Sequence, residues 1–309
     1  MIEPEAVREA AAALRGVAVR TPLRYVEPLG AYLKLENLQP MGAFKIRGAY
    51  NAIRRLPDAA RRHGVVTYSS GNHGQAVAYA ACRLGLRAVV VMPETAPAVK
   101  VAGVKRWGGE VVPAGRTSED RQRKAEEIAA REHLAIVSPF DDPDIVTGQA
   151  TVALEIVEDL PDVATVVAPV GGGGLIAGVV TGLAAAGSRA IVSGVEPAGA
   201  PKLQRSLAAG RPVRLERTAS IADGLITLTV GAIPFAQLAA HRDRVAGVTL
   251  VDEDALREAV QFLARECRLA VEPSGAATTA AARSGALHPV PPTVLVVSGG
   301  NVDPALIED

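Results

Sequence analysis

Four short segments of the sequence combine residue types that can bind an anion, a carbonyl compound or a carboxylate. The first is Met41–Gly48, in which Lys45 stands between Phe44 and Ile46 in a chain with six lysines and 27 arginines. A lysine in apolar surroundings loses its charge more readily, and the neutral amine is the nucleophile that attacks a carbonyl carbon. Lys45 is therefore a candidate for covalent catalysis. The alternative is a lysine whose stem lies along an amphipathic helix while its ammonium group stays in water.

The second segment, Ser69-Ser70-Gly71-Asn72-His73-Gly74, lies between a predicted strand and a predicted helix. Small hydroxyls and backbone N–H groups at a helix N-terminus bind carboxylates well. Ordinary helix capping by serine or asparagine is the alternative interpretation. His73 is one of five histidines, and their spacing predicts no metal site.

The third segment is the run of glycines at Gly171–Gly174, again between a predicted strand and a predicted helix. Consecutive glycines let several backbone N–H groups converge on an anion, and the helix adds its positive end, so a phosphate is the expected ligand. A second interpretation is a dinucleotide site, because Gly172, Gly174 and Ala177 match G-x-G-x-x-A and Glu196 follows at the end of the next strand. That interpretation predicts a nicotinamide-dependent dehydrogenase and leaves the other three segments without a role.

The fourth segment, Ser298-Gly299-Gly300-Asn301, follows the apolar predicted strand Thr293–Val297. A hydroxyl at that position can hydrogen-bond a ligand heteroatom without adding a charge, although the segment could also be a simple turn. Taken together, a lysine, a carboxylate-binding loop, a phosphate loop and a neutral hydroxyl are the groups needed to hold pyridoxal phosphate and an amino acid.

The elements that position these segments alternate between strands and helices. Apolar, β-branched runs predict strands at Val65–Tyr68, Ala88–Met92, Glu110–Val112, Ala135–Val137, Thr165–Ala168, Ala190–Val195, Val245–Val251 and Thr293–Val297. Apolar residues at helical spacing predict helices at Gln75–Leu84, Ser118–Arg131, Val146–Glu158 and Asp254–Arg265, the last with Asp252 as its N-cap. Such alternation predicts an α/β fold with parallel sheets covered by helices.

Composition excludes several classes of function. The 309 residues carry 33 basic and 33 acidic side chains and only ten aromatic ones, which argues against nucleic acid or an anionic membrane as a partner. Two cysteines make no disulfide framework, so a reducing cytoplasm is the expected location. The uncharged stretch Val163–Ser188 contains Pro169 and then the run Gly171–Gly174, so it predicts a strand, a loop and a helix rather than a membrane span.

From about Thr21 to Asp303 the sequence resembles the fold-type II pyridoxal-phosphate enzymes, in the threonine/serine dehydratase and serine racemase branch. The similar segments are Phe44–Ala49 (the cofactor-lysine motif), Ser69–Gly74 (the asparagine loop), Gly171–Leu175 (the phosphate loop), Ser298–Asn301 (the pyridine-nitrogen motif), Ile221–Gly224 and Glu272–Gly275. The resemblance implies a tryptophan synthase β-like α/β fold, with two open parallel-sheet domains and the cofactor in the cleft between them. Residues 1–53 and 143–309 would form the large domain, and residues 54–142 a small mobile one.

The same resemblance assigns roles to individual residues. Lys45 would carry covalently bound pyridoxal phosphate and, once released, act as the base that removes the Cα proton. The other cofactor contacts would be Phe44 beside the ring, Asn72 at the phenolic oxygen, Gly171, Gly172, Gly173 and Gly174 at the phosphate, Gly224, and Ser298 at the pyridine nitrogen. The substrate carboxylate would be bound by Ser69, Ser70, Gly71, Asn72 and His73.

The resemblance also implies a reaction and several alternatives. Because Ser298 has no charge to stabilise a protonated ring nitrogen, prompt loss of a β-leaving group is favoured. The expected main activity is therefore β-elimination of L-threonine or L-serine to a 2-oxo acid and ammonia. Ser70 stands where racemases of this branch keep a second acid/base, so serine racemisation stays open. A 3-hydroxyaspartate dehydratase is the runner-up, with Arg116 or Arg121 for the second carboxylate. A cofactor-binding protein without activity is a further alternative.

One departure from the family concerns a cation. Relatives with a divalent-cation site use a glutamate, a backbone carbonyl four residues later and an aspartate two further on. Glu196 and Ala200 match, but Lys202 stands at the third position, so no metal site is expected. An amino-acid substrate and a homodimer are expected by family likeness. Control by isoleucine is not expected, because no regulatory domain follows Asp303.

Overall fold

In the computed structural model, which describes residues 1–69, 71–96, 98–115 and 117–307, strands and helices alternate along most of the chain. The strands are β1 (Leu23–Val26), β2 (Ala31–Leu35), β3 (Val65–Tyr68), β4 (Ala88–Met92), β5 (Glu110–Pro113), β6 (Ala135–Ile136), β7 (Thr165–Pro169), β8 (Ile191–Pro197), β9 (Val245–Val251) and β10 (Thr293–Val297). The helices are α1 (Pro4–Ala13), α2 (Lys45–Arg55), α3 (Asp58–Arg61), α4 (Asn72–Arg83), α5 (Ala98–Arg106), α6 (Ser118–Glu132), α7 (Pro143–Asp159), α8 (Gly174–Ala185), α9 (Lys202–Ala209), α10 (Ala232–Ala240), α11 (Glu253–Arg265) and α12 (Pro273–Arg283).

The larger sheet has six strands in the order β1-β2-β10-β7-β8-β9. Its neighbours are parallel except for β1, which runs antiparallel to β2. The central strands β7 and β10 pair in parallel, with Thr165 opposite Thr293. Because the carboxyl ends of parallel strands meet at one edge, the glycine run after β7 and Ser298 after β10 emerge side by side.

The smaller sheet has four parallel strands in the order β5-β4-β3-β6. The segment Ser69–Gly74 leaves the carboxyl end of β3 and leads into α4. Two helix-covered sheets of mostly parallel strands confirm the α/β fold class expected from the sequence.

Burial explains why the apolar runs form strands. All five residues of β4 are buried, and so are all five of β7 and of β10. Strands buried on both faces read as continuous apolar runs rather than as alternating ones. The uncharged stretch forms β7, the glycine loop and α8. Within the described ranges, no helix is both long enough and apolar enough to cross a membrane.

The structure differs from the sequence expectation in one missed hairpin and at the ends of several elements, among them α7, which begins at Pro143 rather than Val146. The hairpin β1–β2 was not predicted, because Arg24, Tyr32 and Lys34 interrupt its short apolar pattern. Helix α4 begins at Asn72, three residues before the predicted start, and β8 continues two residues further, to Pro197. The predicted N-cap of α11 is confirmed, since the Asp252 side chain accepts a hydrogen bond from the N–H of Ala255 at 2.8 Å.

Helices α2 and α7 pack so closely that two glycines form the contact. A Cβ atom on Gly48 would lie 2.7 Å from the carbonyl oxygen of Ile145, and one on Gly148 would lie 2.4 Å from that of Arg47. Neither space admits a side chain, so this contact fixes the position of α2, the helix that begins at Lys45.

Candidate active site

Lys45 is the first residue of α2 and lies beside the end of β10. The N–H of Phe44 donates to the carbonyl oxygen of Ser298 at 3.1 Å, and Ala43 forms an isolated antiparallel bridge with Gly299. The Lys45 ammonium donates to the carbonyl oxygen of Pro139 at 2.6 Å. Removal of water from around this group lowers the pKa of Lys45 from 10.5 to about 8. Lys45 is therefore a lysine of the cleft and not one that extends into water.

A buried set of charges beneath Lys45 holds the start of α2. The Arg47 guanidinium donates to both carboxylate oxygens of Glu36 at 2.8 Å and to Glu155 at 2.7 and 2.8 Å. Lys34 donates to Glu155 at 2.6 Å, and Thr21 donates to Glu36 at 2.6 Å. Two cations face two carboxylates, so the set is balanced in charge and every carboxylate has a partner.

Asn72 begins α4 and is fixed by two side chains from the larger sheet. Its Nδ2 donates to the carboxyl group of Glu272. Its Oδ1 accepts a hydrogen bond of 2.8 Å from Asn301 Nδ2, which also donates to the carbonyl oxygen of Met41 at 3.1 Å. The N-cap of α4 is Gly71, and no side-chain capping bond is present. The described residues therefore do not support the capping interpretation of this segment, and Asn72 has a fixed orientation in the cleft.

Glu272 is a buried carboxyl group beside Gly299, the residue that follows Ser298. Desolvation, reinforced by the negative charge of Asp223, raises the pKa of Glu272 to about 7, while the hydrogen bond from Asn72 opposes the change. The Ser298 hydroxyl lies 3.5 Å from the carbonyl oxygen of Ser274, at the limit of a hydrogen bond. Below about pH 7 the Glu272 carboxyl group is therefore mostly protonated and uncharged.

His73 is the second residue of α4 and is buried. Its Nε2 lies 3.2 Å from the carbonyl oxygen of Val137. Desolvation and, to a smaller extent, the charge of Lys45 lower the pKa of His73 to about 3, although the bond to Val137 partly opposes both. The imidazole is neutral at any physiological pH, so it can offer a hydrogen bond but no charge.

Of the two serines in this loop, the structure describes only Ser69. The Ser69 hydroxyl accepts a hydrogen bond of 3.1 Å from the N–H of Gly71. Ser70, the candidate for a second acid/base, lies outside the described residues.

The glycine loop is too crowded for side chains and leaves its N–H groups free. A Cβ atom on Gly172 would lie 2.2 Å from the ring of Phe140, and one on Gly171 would lie 2.6 Å from the carbonyl oxygen of Gly224. Gly173 has a φ of 92° and directly precedes α8. Within the described part of the chain, no residue accepts a hydrogen bond from the N–H groups of these four glycines. Free N–H groups at the positive end of a helix are the arrangement that binds a phosphate.

A family model described as "Pyridoxal-phosphate dependent enzyme" matches residues 14–299. The chain belongs to this family.

Individual relatives match over nearly the whole chain. An L-threonine ammonia-lyase from Thermotoga maritima is 38% identical over an alignment covering 100% of this chain and 78% of the relative. The crystal structure of a threonine deaminase from T.th. is 40% identical, has a TM-score of 0.89, and covers 97% of this chain and 98% of its own. The structure of maize serine racemase is 35% identical, has a TM-score of 0.90, and covers 97% and 94% of the two chains.

The residues of the cleft fit the cofactor of this pyridoxal-phosphate family. A free amine at Lys45, a loop of unpaired N–H groups at Gly171–Gly174 and a neutral hydroxyl at Ser298 suit an aldehyde, a phosphate and a ring nitrogen respectively. Gly224 contacts both the first turn of α12 and the glycine loop, because its N–H donates to Ser274 Oγ at 2.9 Å and its carbonyl oxygen faces Gly171. The structure thus brings together all four segments that the sequence singled out.

The dinucleotide interpretation is wrong. The carboxylate of Glu196 is fully buried and accepts hydrogen bonds from the N–H groups of Leu203 at 2.8 Å and Gln204 at 3.0 Å. It also pairs with the Lys202 ammonium at 3.1 Å. A carboxylate with these partners cannot reach a ribose hydroxyl.

The position of the family cation holds a lysine ammonium. Lys202 Nζ contacts Glu196 Oε1 and the carbonyl oxygen of Ala200, both at 3.1 Å. Those are the two matched members of the family pattern, and the ammonium occupies the space between them. The residues present therefore do not fit a divalent cation.

Sequence reasoning gave no role to four residues that the structure places in or beside the cleft: Lys100, Asp223, Glu272 and Asn301. Glu272 and Asn301 fix Asn72, and Lys100 pairs with Asp223. Asp223, Glu272 and Asn301 nevertheless lie in segments that the family resemblance had singled out, Ile221–Gly224, Glu272–Gly275 and Ser298–Asn301. Arg116 and Arg121 were the candidates for binding a second substrate carboxylate. Arg121 donates to Ser118 of its own helix at 2.9 Å, and Arg116 lies outside the described residues.

Proposed function

We propose that this protein is a pyridoxal-phosphate-dependent ammonia-lyase that converts L-threonine and L-serine to 2-oxo acids and ammonia. The observation that carries the proposal is the pairing of a desolvated lysine with a neutral hydroxyl, since Phe44 and Ser298 are joined by a backbone hydrogen bond. The names and similarity of the threonine ammonia-lyase and threonine deaminase relatives support the same reaction.

Lys45 has two proposed tasks. Its lowered pKa supports covalent attachment of the cofactor aldehyde, because a larger fraction of the amine is neutral near pH 8. Once released, the same amine is the proposed base for the Cα proton of the substrate. When bound, pyridoxal phosphate supplies the electron-accepting ring that makes this proton acidic.

The surrounding residues would bind the cofactor and fix its orientation. The N–H groups of Gly171–Gly174 are proposed to bind the phosphate, and Phe44 and Gly224 to contact the cofactor. Asn72, whose orientation is fixed by Glu272 and Asn301, keeps one Nδ2 proton for the phenolic oxygen.

Ser298 is proposed to face the ring nitrogen. Its hydroxyl has no charge, and the nearby Glu272 is largely protonated below about pH 7. Ser298 would leave the ring nitrogen without a counter-charge, and this would favour loss of the β-hydroxyl group. This preference supports elimination as the main reaction.

The substrate carboxylate is proposed to bind at the N-terminus of α4. Ser69, Gly71, Asn72 and His73 form this segment, with the Ser69 hydroxyl and the first backbone N–H groups of α4 as the proposed donors, and the helix adds its positive end. Ser70 belongs to the same proposed set by sequence alone.

Serine racemisation is the second candidate function. Its support is the 35% identity and TM-score of 0.90 to maize serine racemase. Ser70 would act as the second acid/base on the ring face opposite Lys45. A 3-hydroxyaspartate dehydratase remains a prediction that rests on Arg116 or Arg121.

The remaining expectations are part of the proposal. Residues 1–53 and 143–309 would form one domain and residues 54–142 a second, mobile one. The protein is proposed to act in the cytoplasm as a homodimer and to need no divalent cation. Light scattering and metal analysis test the last two statements.

The deciding experiment follows the visible spectrum and the products of the purified protein with L-threonine and then L-serine. We expect a cofactor band that changes on adding substrate, followed by 2-oxobutyrate or pyruvate and an equal amount of ammonia. A band that changes without 2-oxo acid but with D-serine would establish racemisation instead. No band after adding pyridoxal phosphate would overturn the proposal.

A further inference from the structure

The Lys202 ammonium is fully buried and surrounded by oxygen atoms. Its Nζ lies 2.9 Å from the carbonyl oxygen of Leu225, 3.0 Å from that of Val170 and 3.1 Å from that of Ala200. The fourth neighbour is Glu196 Oε1 at 3.1 Å. Both charged side chains have no solvent exposure. Three backbone carbonyls and one carboxylate around a single positive charge resemble the oxygen shell of a bound cation.

Two of the three carbonyls, those of Val170 and Leu225, belong to the two loops that enclose the proposed phosphate site. Val170 directly precedes Gly171–Gly174, and Leu225 directly follows Gly224. These loops touch, since a Cβ on Gly171 would lie 2.6 Å from the carbonyl oxygen of Gly224. One ammonium group therefore binds both loops at the residues next to their contact.

Glu196 anchors the helix that carries this lysine. Its carboxylate accepts the N–H groups of Leu203 and Gln204 in the first turn of α9, as well as the ammonium of Lys202. The carboxylate lies at the end of β8, next to β7 in the sheet, so the charge is held from the same sheet edge as the glycine loop.

The positive charge has a specific physical task. The negative ends of the Val170, Ala200 and Leu225 carbonyl dipoles point at one place and repel each other without a cation. Neither water nor an apolar side chain would balance both these dipoles and the buried carboxylate. A chain that meets this need with its own lysine does not need a metal ion for it.

We infer that Lys202 is a positioning residue that acts as a tethered monovalent cation and holds the Gly171–Gly174 loop in its anion-binding conformation in place of a metal ion. The inference rests on the proposed function only for the identity of the anion, the phosphate of pyridoxal phosphate. It predicts that removing the ammonium turns a cation-independent protein into a cation-dependent one.

The test measures the dissociation constant of pyridoxal phosphate for wild type and Lys202→Ala in choline chloride, potassium chloride and ammonium chloride at equal ionic strength. Wild type should bind equally in all three. Lys202→Ala should bind at least about tenfold more weakly in choline chloride, the loss expected for several hydrogen bonds to a charged group. Potassium or ammonium should restore its affinity, because either ion fits the space that the side chain leaves, whereas choline does not.

Lys202→Met and Lys34→Ala separate this role from general destabilisation. Methionine fills the space without a charge, so its defect should remain in every salt. Lys34 is an equally buried lysine with a carbonyl and a carboxylate as partners, but it lies away from the glycine loop. Its alanine variant should lose thermal stability and show no response of cofactor affinity to potassium or ammonium.

Several results would overturn the inference. One is an unchanged affinity for pyridoxal phosphate in Lys202→Ala or Lys202→Met. A second is a loss of affinity in Lys202→Ala that neither potassium nor ammonium restores. A third is a wild type whose affinity for pyridoxal phosphate rises with Mg²⁺ or Ca²⁺. If Lys202→Ala does not fold, the inference is tested by the cofactor affinity of Lys202→Met in the three salts and by that of wild type with Mg²⁺ or Ca²⁺. If wild type binds no pyridoxal phosphate, the proposed function fails, and cation-dependent thermal stability of Lys202→Ala still tests the tethered cation.

Discussion

Lys45 gains its chemistry from its surroundings rather than from its neighbours in sequence. Its ammonium donates to the Pro139 carbonyl, and the positive charge lowers the pKa of the buried His73. Desolvation is the cause of the lowered Lys45 pKa. The same amine in water would be almost fully charged near pH 8.

The lowered pKa gives a prediction for the uptake of the cofactor. The rate at which the apoprotein forms the visible band with pyridoxal phosphate should rise with pH and level off above about pH 8, because only the neutral amine attacks the aldehyde. Stopped-flow absorbance over a range of pH measures this rate. Nα-acetyl-lysine, measured in parallel to correct for ionisation of the cofactor itself, should keep rising towards about pH 10. A protein profile that follows the free amine would contradict the prediction.

The residue types of the site were readable from the sequence, but their partners were not. Lys45, Asn72, the glycine run and Ser298 stand out only in combination, because most of these segments taken alone also have an ordinary structural interpretation. Glu272 and Asn301 orient Asn72 from positions 200 and 229 residues away. No local pattern encodes contacts at that separation, and the raised pKa of Glu272 depends on burial that only the fold creates.

At the scale of elements, all eight strands predicted from the sequence are present, both buried ones such as β4 and more exposed ones such as β5 and β9. Strands β3, β4, β7 and β10 were predicted within one residue of their observed ends, since each is a short apolar run that ends near a turn. The hairpin β1–β2 depends on tertiary contacts instead. Its Lys34 is fully buried and needs Glu155 of α7 as a partner, so the strand looked too polar for a central position.

The glycine contact between α2 and α7 gives a prediction at this scale. Gly148→Ala should lower the free energy of unfolding by about 3 kcal/mol, because the new methyl group overlaps the carbonyl of Arg47 and must push the helices apart. The displacement should also slow cofactor uptake, since α2 begins at Lys45. Urea unfolding and the uptake assay measure the two effects.

Gly187→Ala is the matched control for this substitution. Gly187 has a φ of 69°, and a Cβ atom there would meet no other atom within 4 Å, so its variant should cost about 1 kcal/mol, from backbone strain alone. Its cofactor uptake should equal that of wild type. Equal effects of the two substitutions would show that the contact between α2 and α7 does not position Lys45.

At the scale of the whole molecule, the site is built from both sheets. Asn72, at the start of a helix that follows β3, is held by Glu272 and Asn301 from the side of the larger sheet. Lys100 of α5 pairs with Asp223, which lies just before Gly224. The Lys100 ammonium would lie 3.3 Å from a Cβ on Gly71, so this pair stands directly over the loop proposed to bind the substrate carboxylate.

The position of the Lys100–Asp223 pair predicts that it favours the closed cleft. Lys100→Met or Asp223→Asn should raise the KM for L-threonine about threefold to fivefold with a smaller change in kcat, the effect of losing an ion pair of about 1 kcal/mol. The double variant should lose no more than either single one, because the two side chains act on each other. Lys124→Gln removes a lysine that pairs with Glu127 within α6, so it should leave both constants unchanged. Additive losses in the double variant, or a loss confined to kcat, would mean that the two residues act separately rather than by joining the two sides of the cleft.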